Sequence, residues 1–247
     1  MLPELPGGIT SYAVLATIAT LTAVLYNYFR IDKIGLTFKA YALYCVVSAV
    51  CLGVFAKVLF AISYLPTVGF SFENFFHYIF NGGIVFYGGL FGLAIGIIIV
   101  SRFLHNDSKF ILDYFSPSFP LFHSIARIGC LLGGCCYGIP WHWGVTMAES
   151  PDVVRFPVQI AESLCCFGIF VFLTIRAKRR ENYEGSFRLY LFLYACCRFI
   201  LEFFRGDIDR GIWVWGLSTS QIISLIIIVV IILRVVFSKA TRTQQNA

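Results

Sequence analysis

Seven apolar stretches, separated by short polar connections, dominate the pattern of this sequence. Most are about as long as the roughly 20 residues that a helix needs to cross a bilayer. The seven stretches are Ile9–Phe29, Phe38–Ser63, Ile84–Phe103, Ser118–Gly133, Pro157–Ile175, Phe187–Phe204 and Gly216–Phe237. The pattern predicts an all-α integral membrane protein of seven transmembrane helices, which form one membrane domain over residues 1–247.

The connection between the second and third stretches is rich in Phe and Tyr. Aromatic side chains of this kind favour the boundary between lipid and water. We interpret residues 64–83 as a short interfacial segment, and an ordinary loop is the alternative.

Composition agrees with the membrane assignment. Of the 247 residues, 59% are hydrophobic and only 13% are charged, and the mean hydropathy is +0.81. Soluble domains carry about 25% charged residues, so a soluble protein is excluded. The first residues lack a basic region, so we expect no cleavable signal peptide.

Basic residues gather in alternate connections, which indicates an orientation. They follow the first, third, fifth and seventh stretches, and the opposite side has only Arg155 and Arg210 in its loops. By the positive-inside rule, the N-terminus is outside and the C-terminus is cytoplasmic. This distribution explains the net charge of +6, and we expect no nucleic-acid partner.

Ionisable residues inside the apolar stretches are costly, by at least about 2.5 kcal/mol each, and are therefore candidates for function. With the predicted orientation, all of them fall in the outer half of the membrane, where Tyr87 also lies. They are Lys57, Arg127, Glu162, Arg198, Glu202 and Arg205. An ion path would need polar groups through the whole thickness, so a transporter or channel is disfavoured.

The arginines suggest an anion site. Arg198, Glu202 and Arg205 are spaced for one helical face, and they either fasten two helices or hold a phosphate through the guanidinium groups. Arg127 has no partner in its own stretch and must meet Glu162, Glu202 or an anionic ligand. Glycines near the same ends allow close approach of helices or of a lipid head group.

Nine cysteines are present, and most lie within apolar runs as small hydrophobic residues. Cys130, Cys135 and Cys136 stand apart. Their spacing differs from C-x-x-C, and His123 and His142 are the nearby histidines, so we expect neither a metal site nor another cofactor. A nucleophilic thiol, packing and a disulfide remain open.

Five stretches together resemble the prolipoprotein diacylglyceryl transferase family. They are GGIVFYGGLFG, RIGCLLGGCCYGIP, FPVQIAESL, YACCRFILEFFRGD and WGLSTSQIISL, and they extend from Gly82 to Leu225. The resemblance implies a seven-helix enzyme of the bacterial inner membrane. Such an enzyme transfers the diacylglyceryl group of phosphatidylglycerol to the lipobox cysteine thiol of a prolipoprotein and releases glycerol phosphate.

Residue by residue, the resemblance implies a set of site residues. Arg127 and Arg198 match the two essential arginines, Glu202 matches the acidic partner, and Tyr87 stands where the family usually has His. The implied substrate-binding residues are Arg205, Gly138, Gln159 and Glu162. Position in the predicted outer half of the membrane adds further candidate substrate-binding residues, namely Gly88, Gly89, Gly129, Cys130, Cys135 and Lys57.

The chain also departs from the family pattern. Ala126, Cys130, Gly133 and Cys135 replace the usual Gly, Asn, Asn and Glu of the fourth-span signature. A phenol such as Tyr87 accepts a proton near pH 7 far less readily than an imidazole. From the resemblance we expect the transferase activity. Because of these departures we keep two alternatives, a related transferase with another acceptor and a non-catalytic lipid-binding protein.

Overall fold

The computed structural model describes residues 4–5, 8–69, 71–148, 150–207, 212 and 216–245, with backbone alone at residues 4–5, 66–68 and 238–245. Arg210 of the orientation argument lies outside the described residues. The helices are α1 (Ser11–Tyr28), α2 (Phe38–Val68), α3 (Phe72–Asn81), α4 (Phe86–Phe103), α5 (Ser108–Phe115), α6 (Ser118–Leu132), α7 (Val158–Arg180), α8 (Ser186–Leu201) and α9 (Thr219–Gln245). The strands are β1 (Glu4–Leu5), β2 (Ile9–Thr10), β3 (Pro140–Met147) and β4 (Ser150–Arg155).

The described helices fit a membrane protein. Four of them contain stretches long and apolar enough to cross a bilayer, namely Phe38–Leu65, Phe86–Phe103, Val158–Arg180 and Thr219–Phe237, and α6 is a shorter apolar helix. Large apolar side chains such as Val50, Phe172 and Ile226 are exposed on these helices. That exposure suits a lipid environment, since lipid tails are as apolar as the side chains.

Helix starts follow from capping side chains. The hydroxyls of Thr10, Thr37 and Ser71 accept hydrogen bonds from backbone N–H groups in the first turns of α1, α2 and α3. At the start of α8, the buried carboxylate of Asp113 accepts from the N–H groups of Gly185 and Phe187 at 2.8 and 2.9 Å. Asp113 thereby fixes α5 against the beginning of α8.

Glycines let α4 pack directly on the backbone of α2. A Cβ at Gly88 would lie 2.4 Å from the carbonyl oxygen of Phe55, and a Cβ at Gly92 would lie 2.3 Å from that of Cys51. The spacing of four residues places both on one face of α4, the small-residue pattern of membrane helix pairs. Gly88 therefore serves helix packing in the structure.

An antiparallel hairpin of β3 and β4 connects α6 to α7, and the sequence analysis did not predict it. Strand-like pairing continues beyond the hairpin. The N–H of Ile139 donates to the carbonyl of Phe204 at 2.9 Å, and the N–H of Gly206 donates to that of Tyr137 at 2.9 Å. We call this side of the helices the hairpin end; the pairing there joins the segment after α6 to the segment after α8.

Candidate active site

Glu162, in the second turn of α7, lies among the charged residues that the sequence singled out. Its Oε2 is 2.9 Å from Nη2 of Arg127 in α6 and 3.1 Å from Nη1 of Arg198 in α8. All three side chains are buried, so the carboxylate ties three helices together. The prediction that Arg127 meets Glu162 or Glu202 from another helix is confirmed, with Glu162 as the partner.

The alternation of charge continues from Arg198 towards the hairpin end. Nη2 of Arg198 lies 2.7 Å from Oε2 of Glu202, and Nη1 of Arg205 lies 4.0 Å from the same oxygen. Nε of Arg205 donates to Oδ1 of Asp207 at 2.8 Å. We call this series the ion chain; it comprises Arg127, Glu162, Arg198, Glu202 and Arg205.

The expectation of one helical face through Arg205 is wrong. Helix α8 ends at Leu201, residues Glu202–Phe204 form a 3-10 turn, and Arg205 has extended backbone. The backbone bridge between Arg205 and Gly138 draws the chain out of the helix. Arg205 therefore reaches Glu202 and Asp207 from the rim of the site.

His123 belongs to this site, although the sequence analysis assigned it no role. Nε of Arg127 lies 3.2 Å from Nε2 of His123, and the same ring nitrogen lies 3.4 Å from Oε1 of Glu162. Nδ1 of the ring lies 3.5 Å from the sulfur of Cys166. Phe86 stacks on the imidazole with 3.9 Å between ring centroids. The signal in the sequence was the spacing of four residues between His123 and Arg127, which places them on one helix face.

Two tyrosines are linked to the ion chain by hydrogen bonds, one directly and one through α9. The hydroxyl of Tyr194 donates to Oε1 of Glu162 at 3.2 Å. Tyr87 instead contacts Ser224 of α9 at 2.6 Å, and because Ser224 donates to the carbonyl of Ser220, Tyr87 is the donor of this bond. The hydroxyl of Ser220 accepts from Arg198 at 3.4 Å, so Tyr87 reaches the ion chain through α9.

A cavity of about 200 Å³ opens at the rim of the ion chain. Among the described residues that line it, Glu202 is the only carboxylate and Arg205 the only cation. The other lining residues are Ile139, Phe203, Ile212, Gly216, Ser218 and Gln221. Arg127 and Arg198 lie deeper and are connected to the cavity through Glu202. A larger apolar groove between α8 and α9 contains none of the predicted site residues.

The cysteine segment lies beside the same arginines. Nη1 of Arg127 is 3.8 Å from the sulfur of Cys130, and the buried Gln159 donates to the carbonyl of Cys135 at 2.9 Å. Hydrogen bonds from the Cys130 and Cys135 thiols lower the pKa of Cys136 well below its usual value, and the charges of Arg127 and Arg205 also lower it, which outweighs the effect of burial.

The remaining predicted residues are placed in packing contacts. Lys57 donates to the carbonyl of Gly82 at 2.7 Å, just after α3. Gly89 faces Leu52, and a Cβ at Gly129 would lie 2.9 Å from Leu15 of α1.

Gly138 lies close to the hairpin, since a Cβ there would be 2.1 Å from the carbonyl oxygen of Phe156. The structure thus places Glu162 within the ion chain and Gln159, Cys130, Cys135 and Gly138 near it. Lys57, Gly88, Gly89 and Gly129 lie in the helix contacts described above.

The family model and the similar sequences all point to the same protein family. The model of the family described as prolipoprotein diacylglyceryl transferase matches residues 2–237. A phosphatidylglycerol–prolipoprotein diacylglyceryl transferase of Clostridium tetani is 38% identical over 156 residues, 61% of this chain and 62% of the relative. Proteins of the same description from Clostridium perfringens and Dehalococcoides mccartyi are each 33% identical, over 61% and 59% of this chain and 60% and 58% of theirs. The matched part is therefore about three fifths of each relative's length.

Proposed function

Since the chain belongs to the prolipoprotein diacylglyceryl transferase family, we propose that it transfers the diacylglyceryl group of phosphatidylglycerol to the cysteine thiol of a prolipoprotein. The reaction releases glycerol phosphate. One observation carries this proposal at the level of the site: a buried chain of alternating arginines and carboxylates ends at a cavity that Arg205 and Glu202 line. The names of the relatives supply the substrates.

The proposal includes the number of membrane-spanning helices and their orientation. Seven helices, α1, α2, α4, α6, α7, α8 and α9, cross the inner membrane of a bacterium, with the N-terminus outside and the C-terminus in the cytoplasm. The basic residues after α1, α4 and α7 support this orientation. The hairpin end then faces outwards, and α3 lies along the outer interface. Phosphatidylglycerol enters from the outer leaflet.

The cavity suits a lipid head group better than a whole lipid. Its volume of about 200 Å³ is below the usual range for drug-sized ligands, about 300–1,000 Å³. The phosphate lies against Arg205, whose planar guanidinium can form two parallel hydrogen bonds to it in exchange for those to Asp207. The acyl chains remain in the bilayer, so the protein encloses only the part of the lipid that reacts.

In the reaction, the sulfur of the acceptor cysteine attacks the glyceryl carbon that carries the phosphate ester. The C–S bond forms as the C–O bond to phosphate breaks, and the electron pair stays on the departing glycerol phosphate oxygen. Glu202 accepts the thiol proton, because it is the only carboxylate among the described residues that line the cavity. The positive charges of Arg205 and Arg198 stabilise the negative charge that develops on the leaving group.

The deeper residues position these groups. Arg127 and Tyr194 hold Glu162, and Glu162 holds Arg198 beside Glu202. Tyr87 supports Arg198 through α9. In this assignment Arg127 and Tyr87 act at a distance from the lipid, and the substitution of the family's usual His by Tyr87 leaves the charged part of the site intact.

Vesicles of phosphatidylglycerol labelled in the head group test the proposal with purified protein and a lipobox peptide. We expect peptide-dependent release of labelled glycerol phosphate and a matching gain of diacylglyceryl mass on the peptide cysteine. Arg198→Ala should reduce release by at least about 100-fold, because one preorganised charge is lost. Lys109→Ala removes an exposed charge on the other side and should behave as the unchanged protein.

Two outcomes would contradict the proposal. Release without peptide would indicate another acceptor. Bound phosphatidylglycerol with no release under any condition would indicate a lipid-binding protein without catalysis.

A further inference from the structure

Three thiol groups converge at the hairpin end, immediately after α6. The sulfur atoms of Cys130, Cys135 and Cys136 all lie within 4.8 Å of one another. The three differ in access: Cys130 is buried, Cys136 is intermediate and Cys135 is exposed. The sequence favoured no metal site because their spacing is irregular, and the folded backbone removes that objection by bringing them together.

The backbone explains the convergence. Helix α6 ends at Leu132, Gly134 takes a left-handed conformation with φ +74°, and the N–H of Cys135 donates to the carbonyl of Cys130 at 3.1 Å. Cys136 is itself left-handed, with φ +56°. A reversal of this kind returns the chain over the end of α6, so both later thiols face the one in the last turn of the helix.

Three sulfurs in one small volume have the ligand chemistry of a thiophilic cation. Zinc–sulfur bonds are about 2.3 Å long, which sets tetrahedral sulfur atoms about 3.8 Å apart. The observed spread is at most 4.8 Å, so the thiols need to approach by no more than about 1 Å. A disulfide would use two of the sulfurs and leave the third without a role.

The surroundings compensate the charge of such a site. Three thiolates around a divalent cation carry a net charge of −1. The guanidinium of Arg127 lies 3.8 Å from the Cys130 sulfur and supplies a positive charge beside the three thiols. The carbonyl of Cys135 is held by the buried Gln159, which limits the movement of the segment.

We propose that Cys130, Cys135 and Cys136 bind one thiophilic divalent cation of the zinc class, with the fourth position open towards the solvent beside Cys135. Binding releases the protons that the thiols still carry and changes no oxidation state. Because the segment at residues 137–139 pairs with residues 204–206, the bound cation stiffens the wall of the cavity that contains Arg205. The site depends only on the cysteines and stands whether or not the transferase proposal holds.

Titration of the reduced, full-length protein in detergent with Zn²⁺ and with Co²⁺ tests this site. We expect one equivalent of either metal per chain, sulfur-to-metal charge-transfer absorption with Co²⁺, and a higher melting temperature with Zn²⁺. The triple variant Cys130→Ser, Cys135→Ser and Cys136→Ser should lose all three signals. Cys45→Ser, Cys51→Ser and Cys196→Ser together remove three other thiols and should retain them.

The single variant Cys135→Ser separates loss of metal binding from loss of folding. The side chain of Cys135 is exposed, so its replacement should not disturb the fold. It should fold with an unchanged melting temperature in the absence of metal and bind Zn²⁺ at least about tenfold more weakly. Absence of stoichiometric binding, or full retention of Co²⁺ absorption in the triple variant, would overturn the proposal.

Discussion

Two arginine environments at opposite ends of α1 differ in how the cation is compensated. At the hairpin end, the guanidinium groups of the ion chain face carboxylates that neighbouring arginines share. At the other end, the guanidinium carbon of Arg30 lies 4.5, 4.6 and 4.8 Å from the ring centroids of Tyr26, Tyr114 and Tyr183. Among the described residues, no carboxylate forms an ion pair with Arg30.

The contrast indicates which arginines can serve a ligand. An aromatic cage attracts a cation through the ring quadrupoles and offers no anion that a phosphate could replace. A carboxylate partner can be exchanged for a phosphate of similar charge and geometry. The Arg30 cage therefore holds α1, α5 and the segment before α8 together, whereas the ion chain joins helices and, in our proposal, also binds an anion at its rim.

The largest effect is expected from Glu162→Gln, which breaks the centre of the ion chain. The change leaves Arg127 and Arg198 buried with less compensating charge, and breaking a buried pair in this way costs about 3–5 kcal/mol. Unfolding by denaturant in mixed micelles should show this loss of stability. Glu184→Gln removes an exposed carboxylate paired with Lys109 and should leave the free energy of unfolding unchanged. Equal stability of the two variants would show that Glu162 does not tie the helices.

Arg205→Lys should act on activity with little change in stability. Lysine keeps the positive charge beside Asp207 and Glu202 and loses the planar fork that matches a phosphate. We expect kcat/KM for glycerol phosphate release to fall about 100-fold, the typical effect of losing one preorganised donor. Arg102→Lys, in the last turn of α4, is the matched control. An unchanged kcat/KM in Arg205→Lys would place the phosphate elsewhere along the ion chain.

Arg30→Met should give the smallest effect. It tests the comparison between the two arginine environments at the Arg30 cage. The methionine keeps contact with the tyrosine rings and loses the cation–π attraction, at about 1 kcal/mol of stability. Glycerol phosphate release should remain at the level of the unchanged protein, because the cage lies at the opposite end of α1. A loss of activity larger than the loss of stability would show that the two ends are coupled.

The sequence by itself determined the class of protein and most of the charged site. Apolar length indicated a membrane protein, and four described helices are long and apolar enough to cross a bilayer. The reason is that hydrocarbon admits only backbone whose hydrogen bonds are satisfied within the helix. The cost of burying charge identified Arg127, Glu162, Arg198 and Glu202, because each needs a partner inside the membrane. Both arguments are local, so they require no knowledge of which helices are neighbours.

The tertiary structure decided which charges meet and which residues only pack. Glu162 became the shared partner of Arg127 and Arg198 because α7 lies between α6 and α8, a proximity that no spacing along the chain encodes. His123 joined the site, and Gly88 was assigned to helix packing, for the same reason. The cysteines converged because the chain reverses after α6, and Arg205 left the helical face because its backbone pairs with Gly138. Such long-range backbone pairing depends on the whole fold, whereas burial cost can be read residue by residue.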